Sequence, residues 1–360
     1  MQNKTIMSSK TITAIDLFCG AGGFTLAARR IGIKVVAALE ISKHACNTYR
    51  ANFTEDAPIL VEQDILQISP SEFGLLTSVS PNTIDILMGG PPCQGYSTHR
   101  IKNEGVGDPR NDLLIRYFEF INYLSPSAFI VENVPGMLWP RHKDYIDKFY
   151  KLAEKAGYFV APPVALNACD YGVPQNRRRI FIVGMKTPIP GEVWPPKPTH
   201  FSPTNDSVLF EKRRKWINAE FVFKNKPRAN DPNNIHMNHS QELIRVFAST
   251  PINGGSRSQS DRILPCHKQH NGHKDVYGRI DPQRPGPTMT TACTNPSKGR
   301  FLHPTENHGI TVRHAARFQT FPDTFIFYGG LMEASRQVGN AVPVLLAEHV
   351  LNSVVEAIGY

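Results

Sequence analysis

The chain is poor in cysteine, with six in 360 residues at irregular spacing, so it carries no disulfide framework of the kind that staples small secreted scaffolds. It has no apolar run approaching the roughly 18 residues of a membrane-spanning helix. Its polar start, Met1 to Lys10, lacks the apolar core of a signal peptide. There is no internal repeat and no low-complexity tract. With 41% hydrophobic and 20% charged residues, the composition excludes a disordered chain or a collagenous fibre. What is left is a globular protein of one large domain plus a smaller one, with a reducing cytoplasm as its expected setting and no membrane as partner.

Charge is unevenly spread. The chain as a whole is +9, but residues 186–320 hold 20 basic and 10 acidic side chains, and the remainder sums to −1. Nine of the 13 histidines fall in the same window. The positive excess therefore belongs to one segment, either a solvated surface or a face that binds a polyanion such as nucleic acid.

The first 185 residues read as alternating strands and helices. Apolar runs at 13–18, 34–39, 83–88, 128–131 and 180–185 each stop abruptly at polar, Gly or Pro residues. Such runs, separated by helical stretches such as 24–31, predict a parallel sheet covered on both faces, with ligands beyond the strands' carboxyl ends. After Met185 the chain turns proline-rich, basic and weakly periodic, which predicts a loop-rich second module. From Gln337 helical periodicity returns, with Asn340 as the expected cap and Pro343 in the first turn. That helix is expected to rejoin the first domain.

Four constellations carry chemistry. In Asp16-Leu-Phe18-Cys-Gly20-Ala21-Gly22-Gly23 a strand breaks into a glycine-rich turn and a helix. This is either a plain tight turn or a nucleoside pocket that a backbone without side chains lets a ligand approach. Glu40 ends the next strand, where a carboxylate can bind ribose hydroxyls, and Asp64 can accept from an adenine amino group. The glycines are not spaced G-x-G-x-x-G and no Gly-Lys-Ser/Thr follows, so a ribose-bearing cofactor without phosphate fits better than NAD or ATP. In Gly89-Gly90-Pro91-Pro92-Cys93-Gln94-Gly95-Tyr96-Ser97, two prolines fix the backbone before a thiol. Cys93 is then an aimed nucleophile rather than a buried structural cysteine. Glu132 ends another apolar strand, either capping a helix or serving as a proton donor with a raised pKa. In Gln175-Asn-Arg177-Arg178-Arg179, alternation puts Arg177 and Arg179 on one face, to stabilise charge on a substrate or to bind phosphate.

These segments, with Ala38–Ser42, Gln63–Ile65, Asp108–Leu114, Arg284-Pro-Gly-Pro-Thr288 and Gln337-Val-Gly-Asn340-Ala-Val-Pro343, resemble the bacterial DNA (cytosine-5) methyltransferases in order and over nearly the whole chain. The resemblance implies an α/β fold. A Rossmann-like domain with a mainly parallel sheet (1–185) would carry catalysis and S-adenosyl-L-methionine. A smaller loop-rich domain (186–324) would read the target sequence, and the C-terminal segment (325–360) would return to the first. It further implies addition of the Cys93 thiolate to carbon 6 of a cytosine flipped out of the duplex, with Glu132 at ring N3 and the amine. Arg179, with Arg177 nearby, would hold the ring carbonyl and Glu132. The implied cofactor contacts are Asp16, Phe18, Gly20, Ala21, Gly22, Gly23, Glu40, Ile41, Asp64, Ile65, Pro91 and Asn340. Expected DNA contacts are Gln94, Ser97, Arg257, Lys268 and Arg279, with loop candidates at 253–257 and 266–273. Cys266, His267, His270 and His273 are too crowded for a standard zinc finger, and the chemistry needs no metal. The implied setting is a cytoplasmic monomer held at the nucleoid by double-stranded DNA, with a cognate restriction endonuclease as functional rather than physical partner. A tRNA cytosine methyltransferase is the nearest rival, but the Cys-Phe-Thr motif of that family is absent.

Overall fold

The computed structural model describes residues 11–92, 112–203, 214–260 and 275–359. Eight strands form the main sheet: β1 (Thr13–Leu17), β2 (Lys34–Glu40), β3 (Ile59–Glu62), β4 (Ile86–Gly89), β5 (Ala128–Asn133), β6 (Phe159–Val160), β7 (Val164–Asn167) and β8 (Arg178–Met185). Their order is β3-β2-β1-β4-β5-β8-β6, with β7 also paired to β8. The five strands from β3 to β5 are parallel. The expected strand at 180–185 is present, but it runs antiparallel to β5, and β6 and β7 run antiparallel to it. Chain direction is invisible in an apolar run, which reads alike either way.

Alternation along the strands builds two cores. Ala14, Ile86, Ala128 and Ile130 enter one cluster, while Ile15, Leu17, Leu87, Phe129 and Val131 enter the other. This is why these strands read as continuous apolar runs. Helices α3 (Pro70–Thr77), α4 (Asp112–Leu124) and α5 (Lys143–Lys155) cover one face. α3 starts where the sequence dictates: Ser69 and Glu72 form a capping box and Pro70 fills the first turn. On the other face α1 (Gly23–Arg30), α2 (Lys43–Asn52), α6 (Glu220–Phe223), α8 (Val312–Phe318), α9 (Gly330–Asn340) and α10 (Val344–Ala357) contribute buried residues to the first cluster, whereas α7 (Gln241–Ser249) contributes none. That cluster also takes in Ile280, Met289, Cys293 and Phe301, so residues from the basic window share a core with the sheet. Beyond it, β9 (His200–Phe201) and β10 (Arg214–Lys215) make a small parallel pair.

The C-terminal reading needs one correction. Asn340 does not cap the last helix; it ends α9. Ala341 (ψ 144°) and Pro343 (ψ 127°) are non-helical, and Pro343 is the N-cap of α10. A proline disfavours helical geometry in the residue before it, so the chain breaks ahead of Pro343 and restarts after it. Gly330–Ala357 as a whole is long and apolar enough to cross a bilayer, but it is broken here and 61% of its most apolar stretch is buried in the fold. α10 lies alongside α1, running the same way: Arg30 pairs with Glu348 at 3.0 Å, and a Cβ on Gly23 would stand 2.8 Å from the Val342 carbonyl oxygen.

Candidate active site

Register brings the chemistry to one edge. Leu17 is level with Leu39 and Gly89, and Gly89 is level with Val131. The next residues, Phe18, Glu40, Gly90 and Glu132, therefore stand side by side at the carboxyl ends. The strand order reverses between β1 and β4, the crevice where α/β sheets bind ligands.

On the β1–β2 side, Phe18 (φ 58°), Gly20 and Gly22 (φ 93°) form a tight left-handed turn. Gly22 is required for packing, since a Cβ would come 2.4 Å from the Phe53 ring, whereas Gly20 faces open space. The Glu40 carboxylate reaches into this turn. Its Oε2 accepts from the Gly20 N–H at 2.9 Å, and its Oε1 accepts from the N–H groups of Ile41 and Ser42 at 3.0 and 2.8 Å. Burial pushes Glu40 above its ordinary pKa, against those three donors. A carboxylate on the amide that would otherwise bind a phosphate repels one, which supports the exclusion of a dinucleotide. Beneath the turn, Asp16 Oδ2 accepts from the Thr25 hydroxyl at 2.8 Å, while Oδ1 is buried without a partner. Burial raises the Asp16 pKa to about 7. Asp64 lies after β3, its Oδ1 accepting from Leu66 N–H, with Ile65 buried beside it and Ile41 63% exposed at the rim. Pro91 is buried and Asn340 is exposed. An orphaned buried oxygen, open space over Gly20 and a preset carboxylate fit a ligand with ribose hydroxyls and a polar, non-phosphate end.

On the β4–β5 side, Arg179 Nε stands 2.8 Å from Glu132 Oε1, both side chains nearly buried. The Arg179 guanidinium thus engages one oxygen of the Glu132 carboxyl directly. Burial pushes the Glu132 carboxyl up, opposed by Arg179 and Arg177, which favours a protonated acid able to donate. Asn133 Nδ2 donates to the Pro91 carbonyl at 3.2 Å and ties the Gly-Pro loop to the end of β5. A Cβ on Gly90 would stand 3.0 Å from Glu132 Oε2, so the loop runs directly against the acid. Cys93, Gln94 and Ser97, which follow, lie outside the described residues.

Arg177 is not at the chemistry. It is fully buried and donates to three backbone carbonyls: Met289 at 2.7 Å, Gly339 at 2.8 Å and Ala341 at 3.0 Å. It shares a side of the chain with Arg179, as alternation requires, but it is a clamp on the C-terminal segments. Gln175, which the sequence marks as the start of the motif without giving it a role, works beside it. It accepts from Met289 N–H at 2.7 Å and donates to the Phe318 carbonyl and Gln319 Oε1. The approach is close enough that a Cβ on Gly339 would stand 2.3 Å from the Thr290 carbonyl, which explains the glycine of Gln337-Val-Gly-Asn.

The model of the C-5 cytosine-specific DNA methylase family matches residues 12–356. The chain belongs to that family. It is 32% identical over 358 residues to the type II methyltransferase M1.HphI of Haemophilus parahaemolyticus, covering 98% of this chain and 89% of that one. It is 33% identical over 349 residues to M.NgoFVII of Neisseria gonorrhoeae, covering 96% and 87%. Its fold matches a crystal structure described as that of a DNA modification methyltransferase encoded within an E. coli prophage. There the TM-score is 0.72 at 24% identity, over 97% of this chain and all of the other. It also matches a mutant of Spodoptera frugiperda DNMT2, with a TM-score of 0.62 at 16% identity, over 96% of this chain and all of the other. The chain is thus a DNA cytosine-5 methyltransferase that uses S-adenosyl-L-methionine, and its partner is DNA.

Within the basic window, three arginines are turned inward. Arg279, expected on DNA, is 1% exposed. Its guanidinium donates to the carbonyls of Phe247, Thr250, His303 and Glu306 and to Asn307 Oδ1. With all of these donors held by the loops around it, it has none for a base. Arg313 is likewise buried on Asp231, and Arg317 pairs with Asp323 at 2.7 Å. Arg257 sits half-buried in a 3₁₀ turn. Lys268 and the 266–273 loop lie outside the described residues.

Proposed function

We propose that the enzyme methylates cytosine through a covalent adduct at Cys93, with Glu132 as acid and Arg179 as its partner. The ion pair between Glu132 and Arg179, at the edge reached by the Gly89–Pro92 loop, carries this reading. The Cys93 thiolate adds to carbon 6, and Glu132, whose carboxyl burial pushes toward the acid form against the pull of Arg179 and Arg177, donates to ring N3 as negative charge collects there. Arg179 holds the Glu132 carboxyl in place and faces the ring carbonyl. S-adenosyl-L-methionine supplies an electrophilic methyl group. Carbon 5, made nucleophilic by the adduct, takes the methyl and leaves S-adenosyl-L-homocysteine; the carbon 5 proton then goes to solvent as the Sγ–C6 bond breaks, and the N3 proton returns to Glu132, restoring the thiolate and releasing 5-methylcytosine. Glu40 would hold the ribose, Asp64 the adenine amine, and Asp16 lies beneath the glycine turn that receives the cofactor.

Residues 186–324 read the DNA sequence in this scheme, and the enzyme acts as a cytoplasmic monomer that modifies the sites of a cognate restriction endonuclease, a reading that the similarity to type II methyltransferases supports. The test is bisulfite sequencing of unmethylated plasmid after incubation with the purified protein and cofactor. Protection of cytosines in one short recurring sequence is expected. Absence of protection in a protein that binds the cofactor overturns the proposal.

A further inference from the structure

The loop that follows β3 carries Asp64 and Ile65; Ile65 and Ile68 anchor it in the core, but few backbone hydrogen bonds tie it to the sheet. Gln63 N–H donates to the Glu40 carbonyl at 3.0 Å, and the remaining backbone bond, Gln67 N–H to the Asp64 carbonyl, is internal to the turn. Across from it, on α4, Arg116 spans the loop. Its Nε donates to the Ile65 carbonyl at 2.8 Å and its Nη2 to the Ile68 carbonyl at 2.6 Å. The third nitrogen, Nη1, is paired with Glu119 one turn on, and the guanidinium lies 5.7 Å from the Phe120 ring. The side chain is 18% exposed. A planar fork with fixed donor directions can hold two carbonyls three residues apart; a lysine, with its donors on one freely rotating nitrogen, does not fix them in that way.

The next residue along α4 fixes where the fork stands. The Tyr117 hydroxyl bridges the carbonyls of Leu87 on β4 and Ile130 on β5 at 3.0 and 2.9 Å. α4 is thus pinned to the strands that deliver Gly90 and Glu132, while Arg116 reaches from it to the Asp64 loop. Leu66, 51% exposed, forms with Ile115, Arg116 and Glu119 the wall of a surface hollow beside that loop.

We infer that Arg116 is a positioning residue for cofactor selectivity: it sets the height of the Asp64–Ile65 loop, so that the Asp64 carboxylate meets the exocyclic amine of adenine. This rests on the assignment of Asp64 to that amine. Arg116 itself touches neither cofactor nor DNA.

The experiment is calorimetric binding of two probes, S-adenosylhomocysteine and its analogue lacking the 6-amino group, to the full-length enzyme and to R116A, R116K and D64N. Wild type should prefer the amine-bearing probe by about ten-fold, one hydrogen bond to a charged group. D64N should abolish the preference. R116A should reduce it to about two-fold or less, and R116K should fall between. The KM for cofactor should rise with little change in kcat. A purely structural role for Arg116 would weaken both probes equally and leave the preference intact. Loss of the preference in D64N and its retention in R116A and R116K overturns the inference alone. Retention in D64N overturns the Asp64 assignment and the inference with it. R116K keeps the charge on α4, so the test survives if R116A does not fold.

Discussion

Replacing Arg177 by Met separates a clamp from a catalyst. The substitution keeps most of the side-chain volume but removes the partners of three buried carbonyls, those of Met289, Gly339 and Ala341. An abandoned buried acceptor costs about 1–3 kcal/mol, so the three together cost roughly 5 kcal/mol. Relief of a fully buried guanidinium, whose pKa burial pushes down, offsets part of this. A net loss of about 3 kcal/mol is expected, and at roughly 2–3 °C per kcal/mol for a domain this large the melting midpoint should fall by about 6–9 °C. Arg179→Met is the control. It breaks a nearly buried ion pair, so its midpoint should fall as well, but turnover should fall by about 100-fold or more. Thermal unfolding and single-turnover methylation, measured on both variants, decide the matter. An Arg177→Met enzyme with an unchanged midpoint and lost turnover would refute the clamp and return Arg177 to the flipped base.

Cys93→Ser should lose turnover while S-adenosylhomocysteine binding is retained; substantial residual methylation removes Cys93 as the nucleophile. Glu40→Ala should weaken the cofactor by about 10–100-fold, the worth of a charge-assisted hydrogen bond, with DNA affinity unchanged, both by titration. Exchange of residues 186–280 with those of a relative of different specificity should transfer the methylated sequence, and an unchanged pattern would place recognition elsewhere. Stability should fall on acidification through the histidine range. Burial pushes His303 down to about 4 and His314 to about 3, so between pH 6.5 and 4 the unfolded chain takes up protons that the folded one refuses. Their contribution is therefore present above pH 6.5 and lost as the pH drops, at about 1.4 kcal/mol per pH unit for each. Denaturant midpoints between pH 7.5 and 5 should show this slope, and His314→Gln should flatten it.

The sequence made the site's edge legible because strand ends are local: an apolar run that stops at Gly, Pro or a carboxylate marks where a sheet ends. Glu40 and Glu132 were placed this way, and the register aligns them across β1 and β4. Alternation likewise put Arg177 and Arg179 on one side. It could not say what stood there. The carbonyls that Arg177 holds are 112 to 164 positions away along the chain, and nothing in a Gln-x-Arg-x-Arg string shows them. Arg279 failed for the same reason: a basic window gives the sum of charges and not which side chains face inward. Asn340 was misplaced because a helix ending and a helix starting three residues apart share one apolar periodicity. Arg116 left no signal, since an arginine on an amphipathic helix ordinarily reads as solvated surface.

The side-by-side packing of α1 and α10 also bears on how the chain is made. Phe24, Ala27 and Ala28 on α1 belong to a core that includes Leu346, Val350, Leu351 and Val354 of α10. More than 300 residues separate the two helices. At about 5–20 residues per second, a ribosome needs roughly 15–60 s to deliver the second after the first. Throughout that interval the nascent sheet presents an apolar face whose cover does not yet exist. A message truncated anywhere before residue 344 would leave that face bare for good, and its product is a target for chaperones and proteases rather than a weaker enzyme.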